Sequence, residues 1–388
     1  MKRLSLLFLL LFTLPLFAEI KWHDPAKAEF SVIQNQAWSG EIGKSYQRFP
    51  PKAKEKVRPP VWELSQNSAG LAIHFYTNAD SIQVRYGITG SIAMWHMPAT
   101  GKSGVDLYAI DANGKWLVTS DRFDFGDSVI TYTYVKIIPS KEHKRGYEYH
   151  LYLPLYSSVN WMKIGVPESA EFKFIPAQRE KPIVVYGTSI AQGGCASRPA
   201  MGWSNILSRK LDYPVVNLAF SGNGPLEKEV VDLIDEIDGS LYIYDCLPNM
   251  DGLESKVITE RMIYGVKKLR EKHTAPILLV EHPGYRHDGI SKGSTENIIR
   301  VNKATREAYQ SLKKSGLQNL YYLTKEEIDL PDDGAVDNTH PSDYGMQVYA
   351  NAYEKIVREI LAMPLGAAVT AQPVSQRKEP DLYEWKER

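Results

Sequence analysis

The hydrophobic pattern of the chain changes texture near residue 180. Between residues 20 and 178, apolar and aromatic residues recur in short runs at 71–76, 81–86, 130–135, 147–153 and 172–174. These short β-type runs, bounded by turn signals, read as strands. Thr100-Gly101 and Asp111-Ala112-Asn113-Gly114 supply turn signals between them. No long helical period interrupts the series. The pattern predicts an antiparallel β-sandwich or jelly roll.

From Lys181 the pattern alternates between strand and helix. Apolar runs at 182–186, 214–220, 241–244, 277–280 and 320–323 read as buried strands. Between them, apolar residues fall at helical spacing. Trp203, Ile206, Leu207 and Leu211 share one face; Leu226, Val230, Leu233 and Ile237 a second; Ile258, Met262 and Leu269 a third. A longer helix is expected over about residues 296–314. A last one follows His340, with Tyr344, Val348, Ala352, Ile356 and Ile360 as its expected apolar stripe. Repeated β-α units imply a parallel sheet with helices on both faces. The predicted fold class is therefore α/β, preceded by an all-β sandwich. The expected boundaries are 20–178 for the sandwich and 179–365 for the α/β domain.

A length of 388 residues also suits two domains. Lys+Arg and Asp+Glu balance at 46 each. A nucleic-acid partner or an anionic membrane surface calls for a basic excess, so neither is expected. Lys2 and Arg3 precede an apolar run at 4–17 that ends at Ala18. This reads as an export signal over residues 1–18, too short for a membrane span, and predicts a secreted or periplasmic protein. Residues 366–388 read as a polar tail. Cys195 and Cys246 are the two cysteines. In an oxidising compartment they could form one disulfide or remain two buried thiols, and sequence does not set which.

Candidate chemistry gathers at the predicted strand ends. Ser189 (in Tyr186-Gly187-Thr188-Ser189-Ile190), Gly222 (in Ser221-Gly222-Asn223-Gly224) and Asn249 (in Leu247-Pro248-Asn249-Met250) each follow a strand. Asp337-Asn338-Thr339-His340 follows the fifth. Open α/β sheets bind ligands along this edge. Each residue has a plain structural reading: a helix-capping serine, a turn glycine, an Asx-turn asparagine and a loop acid. Together they form a nucleophile (Ser189), a base (His340) oriented by Asp337, and oxyanion donors from Ser189, Gly222 and Asn249. Asp337 and His340, three apart, are expected on one helical turn. The serine lacks the G-x-S-x-G elbow. His282, His287 and the other histidines show no metal-ligand spacing, and no phosphate-binding glycine loop is present. No metal and no cofactor are expected.

The order Ser189, Gly222, Asn249, then His340 with Asp337 resembles the SGNH (GDSL-type) hydrolases over about residues 181–362. Thr188 stands where the family archetype has Asp. Upstream, Gly104-Val105-Asp106-Leu107-Tyr108 resembles the G-x-D-L-Y string of a β-rich domain that precedes some bacterial SGNH hydrolases. The two-domain order is similar to one group of carbohydrate acetylesterases. The resemblance implies a flavodoxin-like sheet and a metal-free serine esterase acting on short acyl esters, acetyl above all, of a glycan or small molecule. A lysophospholipase or broad arylesterase with the same triad stays open, as does a non-catalytic glycan-binding protein. Trp95, beside His96 in the β-rich part, is a candidate for stacking on sugar or closing one side of the site. The sandwich is expected to pack near the strand-end edge.

Overall fold

A computed structural model describes residues 19–363 apart from 112–113, 127, 139, 141–145 and 287–289. The expected export signal at 1–18, the tail at 366–388 and His287 lie outside the described residues.

Two antiparallel sheets build the N-terminal part. One has the order Ile20–His23, Ser158–Pro167, Ile82–Thr89, Ile130–Tyr134, Arg122–Phe125. The other runs Phe172–Phe174, Ala72–Thr77, Tyr147–Tyr152, Asp106–Asp111, Gly114–Val118, with Ile33–Gln34 also paired to Ala72–Thr77. Side chains of both sheets meet in one core, among them Phe75, Leu107, Tyr149 and Leu151 from one and Val84, Tyr86, Tyr132 and Ile164 from the other. The strand Ser158–Pro167 is not legible in the sequence because a register shift between Val159 and Trp161 breaks its alternation.

Residues 37–64, inside the stretch expected to belong to the sandwich, do something different. They carry Pro50, Pro51, Pro59 and Pro60 and no strand alternation. They pack Trp38, Ile42, Phe49, Val57 and Val61 into the core beneath the parallel sheet. Arg48 is buried there, and burial pulls its guanidinium down to about 9. It donates to the carbonyls of Leu64 (2.6 Å), Asn67 (2.9 Å), Asn217 (3.2 Å) and Ala219 (2.7 Å). Buried N–H groups need such acceptors, and those of Asn217 and Ala219 tie this segment to the end of the parallel strand Val215–Ala219.

The parallel sheet comprises β1 (Ile183–Gly187), β2 (Val215–Ala219), β3 (Leu241–Asp245), β4 (Ile277–Val280) and β5 (Leu320–Leu323), in the order β2-β1-β3-β4-β5. Helices α1 (Ser189–Gln192), α2 (Trp203–Leu211), α3 (Lys228–Ile234), α4 (Ser255–Arg270), α5 (Lys292–Lys314) and α6 (Asp343–Ile360) cover it. Alternate strand residues feed opposite cores. Val184, Tyr186, Leu218 and Tyr244 pack with α3, α4 and α5; Ile183, Val185, Ala219 and Ile243 pack with α1, α2 and α6. On α6 the buried face is Met346, Tyr349, Ala350, Tyr353 and Val357, not the expected stripe, and Tyr344 is 58% exposed. Tyr353 stacks on Trp203 of α2 at 4.1 Å between ring centroids. The stacked pair of large aromatic rings sets the helix rotation.

The Gly104–Tyr108 motif docks the two halves. Leu107 points into the sandwich core. Asp106, buried, accepts from the Arg198 guanidinium (3.0 Å) and from the Ala200 N–H (2.8 Å). Arg198 also donates to the Tyr108 hydroxyl at 3.2 Å. Arg198 and Ala200 belong to the segment that runs from α1 to α2. Breaking a buried ion pair from one side leaves the other charge uncompensated, so Asp106→Ala should cost on the order of 3 kcal/mol of stability. Denaturant unfolding measures this; a loss well below 1 kcal/mol would mean the motif does not hold the halves together.

Candidate active site

Ser189 is the first residue of α1, directly after β1. Thr188 caps this short helix, its hydroxyl accepting the Ile190 N–H at 3.3 Å. The Ser189 carbonyl accepts from the N–H groups of Gly193 (3.1 Å) and Gly194 (2.7 Å) and from the Tyr156 hydroxyl (3.1 Å). Tyr156 follows the sandwich strand Tyr147–Tyr152, so the sandwich buttresses the serine from behind. Sequence pattern carries no signal for this residue. Gly194 permits the imidazole to approach: a Cβ there would lie 2.9 Å from His340 Cδ2.

Asp337 and His340 come together as expected but not on a helical turn. Residues 336–340 form a loop closed by the Val336 N–H on the His340 carbonyl (2.8 Å) and an Ala335–Pro341 bridge; α6 starts at Asp343. Two constraints account for this. Pro341 disfavours helical backbone at His340, and Asp337 Oδ1 accepts the Thr339 (2.8 Å) and His340 (2.7 Å) N–H groups. Its other oxygen, Oδ2, lies 2.8 Å from His340 Nδ1. His340 Nε2 lies 2.8 Å from Ser189 Oγ. The carboxylate can only accept, so the proton sits on Nδ1 and Nε2 is left to accept from the serine. Burial tends to raise the Asp337 carboxyl, but hydrogen bonds from the His340 and Thr339 N–H groups and from the ring outweigh it and hold it below the ordinary value.

Gly222 and Asn249 stand on the neighbouring loops. Gly222 takes φ +66 with open space about its Cβ position, so conformation rather than crowding calls for glycine. Neither the Gly222 nor the Ser189 N–H has an acceptor among the described residues. Asn249 Oδ1 accepts the Gly224 N–H at 3.0 Å, which leaves its amide N–H₂ as a free donor. Such donors can hold a developing oxyanion.

His96 is a site residue whose place the sequence did not fix. It sits on a sandwich loop, with its ring 5.1 Å from that of His340. Burial, then the nearby His340, lowers its pKa, against a smaller pull from Asp337.

Cys195 and Cys246 are both free and buried, so the disulfide does not form. Cys195 lies in the core on the α1, α2 and α6 side, and Cys246 in the core on the opposite face of the sheet. The Cys195 thiol instead donates to the His96 carbonyl at 3.3 Å.

Two groups of potential metal donors do assemble, contrary to the sequence spacing: His96, Cys195, Asp337 and His340, and separately His74, Glu148 and His150. His74 and His150 are register partners on adjacent strands, a closeness that linear spacing cannot reveal. Their rings stack at 3.4 Å with an interplanar angle of 1°. Lone pairs in two parallel planes do not converge on one ion, and Glu148 is bonded to His150 at 2.7 Å. In the first group, the Asp337 carboxylate is taken up by His340 and backbone N–H groups.

Over residues 180–358 the chain matches the GDSL-like Lipase/Acylhydrolase family, and over 20–172 the N-terminus of Esterase_SGNH_hydro-type proteins. A crystal structure of a candidate GDSL-like lipase from Bacteroides ovatus superposes with TM-score 0.79 at 30% identity, covering 89% of this chain and 98% of that one. This chain belongs to the GDSL-like lipase/acylhydrolase family. It is a carboxylic ester hydrolase of the SGNH type with a GxDLY-type N-terminal domain. The salicylyl-acyltransferase SsfX3 of a tetracycline biosynthetic pathway shares the fold, with TM-score 0.62 at 19% identity over 82% of this chain and 91% of that one. A family two carbohydrate esterase from Clostridium thermocellum has TM-score 0.48 at 14% identity, over 76% and 93%. No curated protein matches the sequence.

Two buried thiols on opposite faces make a chemical prediction. The native enzyme should be inert to Ellman's reagent and the denatured, unreduced enzyme should release two equivalents. No reaction after denaturation would mean the disulfide exists.

Proposed function

We propose that the enzyme hydrolyses short acyl esters, acetyl foremost, on carbohydrates, with Ser189 as nucleophile. The observation that carries the mechanism is the unbroken chain Asp337–His340–Ser189, with both links at 2.8 Å. Ser189 Oγ attacks the ester carbonyl while His340 Nε2 takes its proton. Asp337 keeps the imidazole in the right tautomer and stabilises the imidazolium. The N–H groups of Ser189 and Gly222 and the Asn249 amide hold the oxyanion. His340 returns its proton to the departing alcohol, and water, deprotonated by the same base, then cleaves the acyl-enzyme.

The carbohydrate reading has separate support. The proposed secretion or periplasmic export would place the enzyme among polysaccharide fragments. No long apolar segment between Ser189 and His340 provides a lid for a fatty chain. No helix among the described residues is long and apolar enough to cross a membrane.

Steady-state kinetics on short acyl esters tests the mechanism. Ser189→Ala should lower kcat by about 10⁴–10⁶-fold with the fold intact, and Asp337→Asn by about 10⁴-fold. Asn249→Ala should cost about 10²–10³-fold. Undiminished turnover by Ser189→Ala would sink the assignment. A preference for long acyl chains over acetyl would overturn the substrate class alone.

A further inference from the structure

The loop that carries His96 is a tight hairpin. Met94 and Met97 exchange backbone hydrogen bonds at 3.1 and 3.2 Å, which leaves Trp95 and His96 as its two tip residues. Two-residue tips favour Gly, Asn and Asp; a Trp-His pair is an unusual choice there. The hairpin is anchored on all sides. Met97 is 2% exposed and sits in the catalytic core beside Ile190 and Cys195. The Cys195 thiol holds the His96 carbonyl, the Ser103 hydroxyl holds the Ile92 carbonyl at 2.6 Å, and the buried Lys102 ammonium holds the Ser91 carbonyl. On this fixed mount Trp95 is 85% exposed, although its ring stacks on His96 at 4.0 Å and 23°. His96 in turn faces His340. Three rings thus lead outward from the base to solvent.

We infer that the Trp95–His96 hairpin is the alcohol-side subsite, with the Trp95 face receiving a neutral pyranose ring. This rests on the esterase reading above. The two sides of the site are chemically distinct. His340 has to protonate the leaving alcohol oxygen, so the alcohol lies on the side of His340. The acyl oxygen lies on the side of Gly222 and Asn249. Trp95 and His96 extend the His340 side, so they meet the alcohol. An exposed indole with two rotatable bonds, already ordered, offers a large flat apolar face at little entropic cost. The C–H face of a sugar ring matches that surface while its hydroxyls stay in water. On this assignment, selectivity for the alcohol is written in the N-terminal domain, and the reaction itself in the C-terminal one.

The test compares glucose pentaacetate with ethyl acetate, an ester whose alcohol is too small to reach Trp95. In Trp95→Ala the ratio of kcat/KM for the sugar ester to that for ethyl acetate should fall about tenfold, mainly through KM, and Trp95→Phe should recover most of it. An unchanged ratio overturns the subsite. So does a loss confined to p-nitrophenyl octanoate, which would put the indole on the acyl side. A binding arm keeps the two readings apart. Calorimetry of glucose pentaacetate with Ser189→Ala and with Ser189→Ala/Trp95→Ala should give a Kd about tenfold weaker for the double variant. Wild type inert on every ester would defeat the esterase reading, and the binding arm would still decide the subsite; equal Kd values would defeat the subsite alone.

Discussion

The active site depends on one buried contact between the two halves of the chain: Asp106 against Arg198 and the Ala200 N–H. Burying a carboxylate is expensive unless a cation and N–H donors replace its water. Here both partners come from the segment that follows α1, the helix that begins with Ser189. The sandwich therefore has a fixed position relative to Ser189. Tyr156 can then reach the Ser189 carbonyl, and the Trp95–His96 hairpin can reach His340. Thr100 adds a further tie, its hydroxyl donating to the Ser197 carbonyl at 2.8 Å. Neither half alone contains every group that surrounds the serine.

Much of this was legible in the sequence, for physical reasons that differ by element. The five parallel strands are continuous apolar runs because both of their faces are buried, and all five were found within a residue or two. Ser189, Gly222, Asn249 and the Asp337–His340 pair stood out through their places at strand ends. Other features depend on contacts across the chain and leave no local trace. Tyr156 looks like any strand-end tyrosine until it meets the Ser189 carbonyl. Tyr349 and Tyr353 form the buried face of α6 because Trp203 waits opposite, which the spacing of Val348, Ala352 and Ile356 does not disclose. Cys195 and Cys246 both follow strand ends, yet they lie on opposite faces of the sheet. Asp337 and His340 share no helical turn because Pro341 and the Asp337 carboxylate dictate a loop instead.

That loop has consequences for the chemistry proposed. In a helical turn, Asp337 would meet His340 through side chains alone. Here one carboxylate oxygen is bound by two backbone N–H groups and the other by the imidazole. Asp337, which holds the imidazole, is itself held by the backbone, so little of the geometry is left to side-chain rotamers. Hydrogen-bond donation then runs in one direction, from the Ser189 hydroxyl to His340 Nε2 and from His340 Nδ1–H to Asp337. The N–H groups of Ser189, at the start of α1, and of Gly222, after β2, and the Asn249 amide, after β3, are free to donate.

The central claim is that Ser189 is an activated nucleophile, and covalent trapping tests it most directly. A fluorophosphonate reacts with a serine only when an adjacent base and oxyanion donors activate it. The folded enzyme should gain one phosphonyl adduct by intact mass, located on the peptide carrying Ser189, and His340→Ala should not gain it. Labelling of another residue, or a wild-type enzyme that takes up no label, would contradict the account.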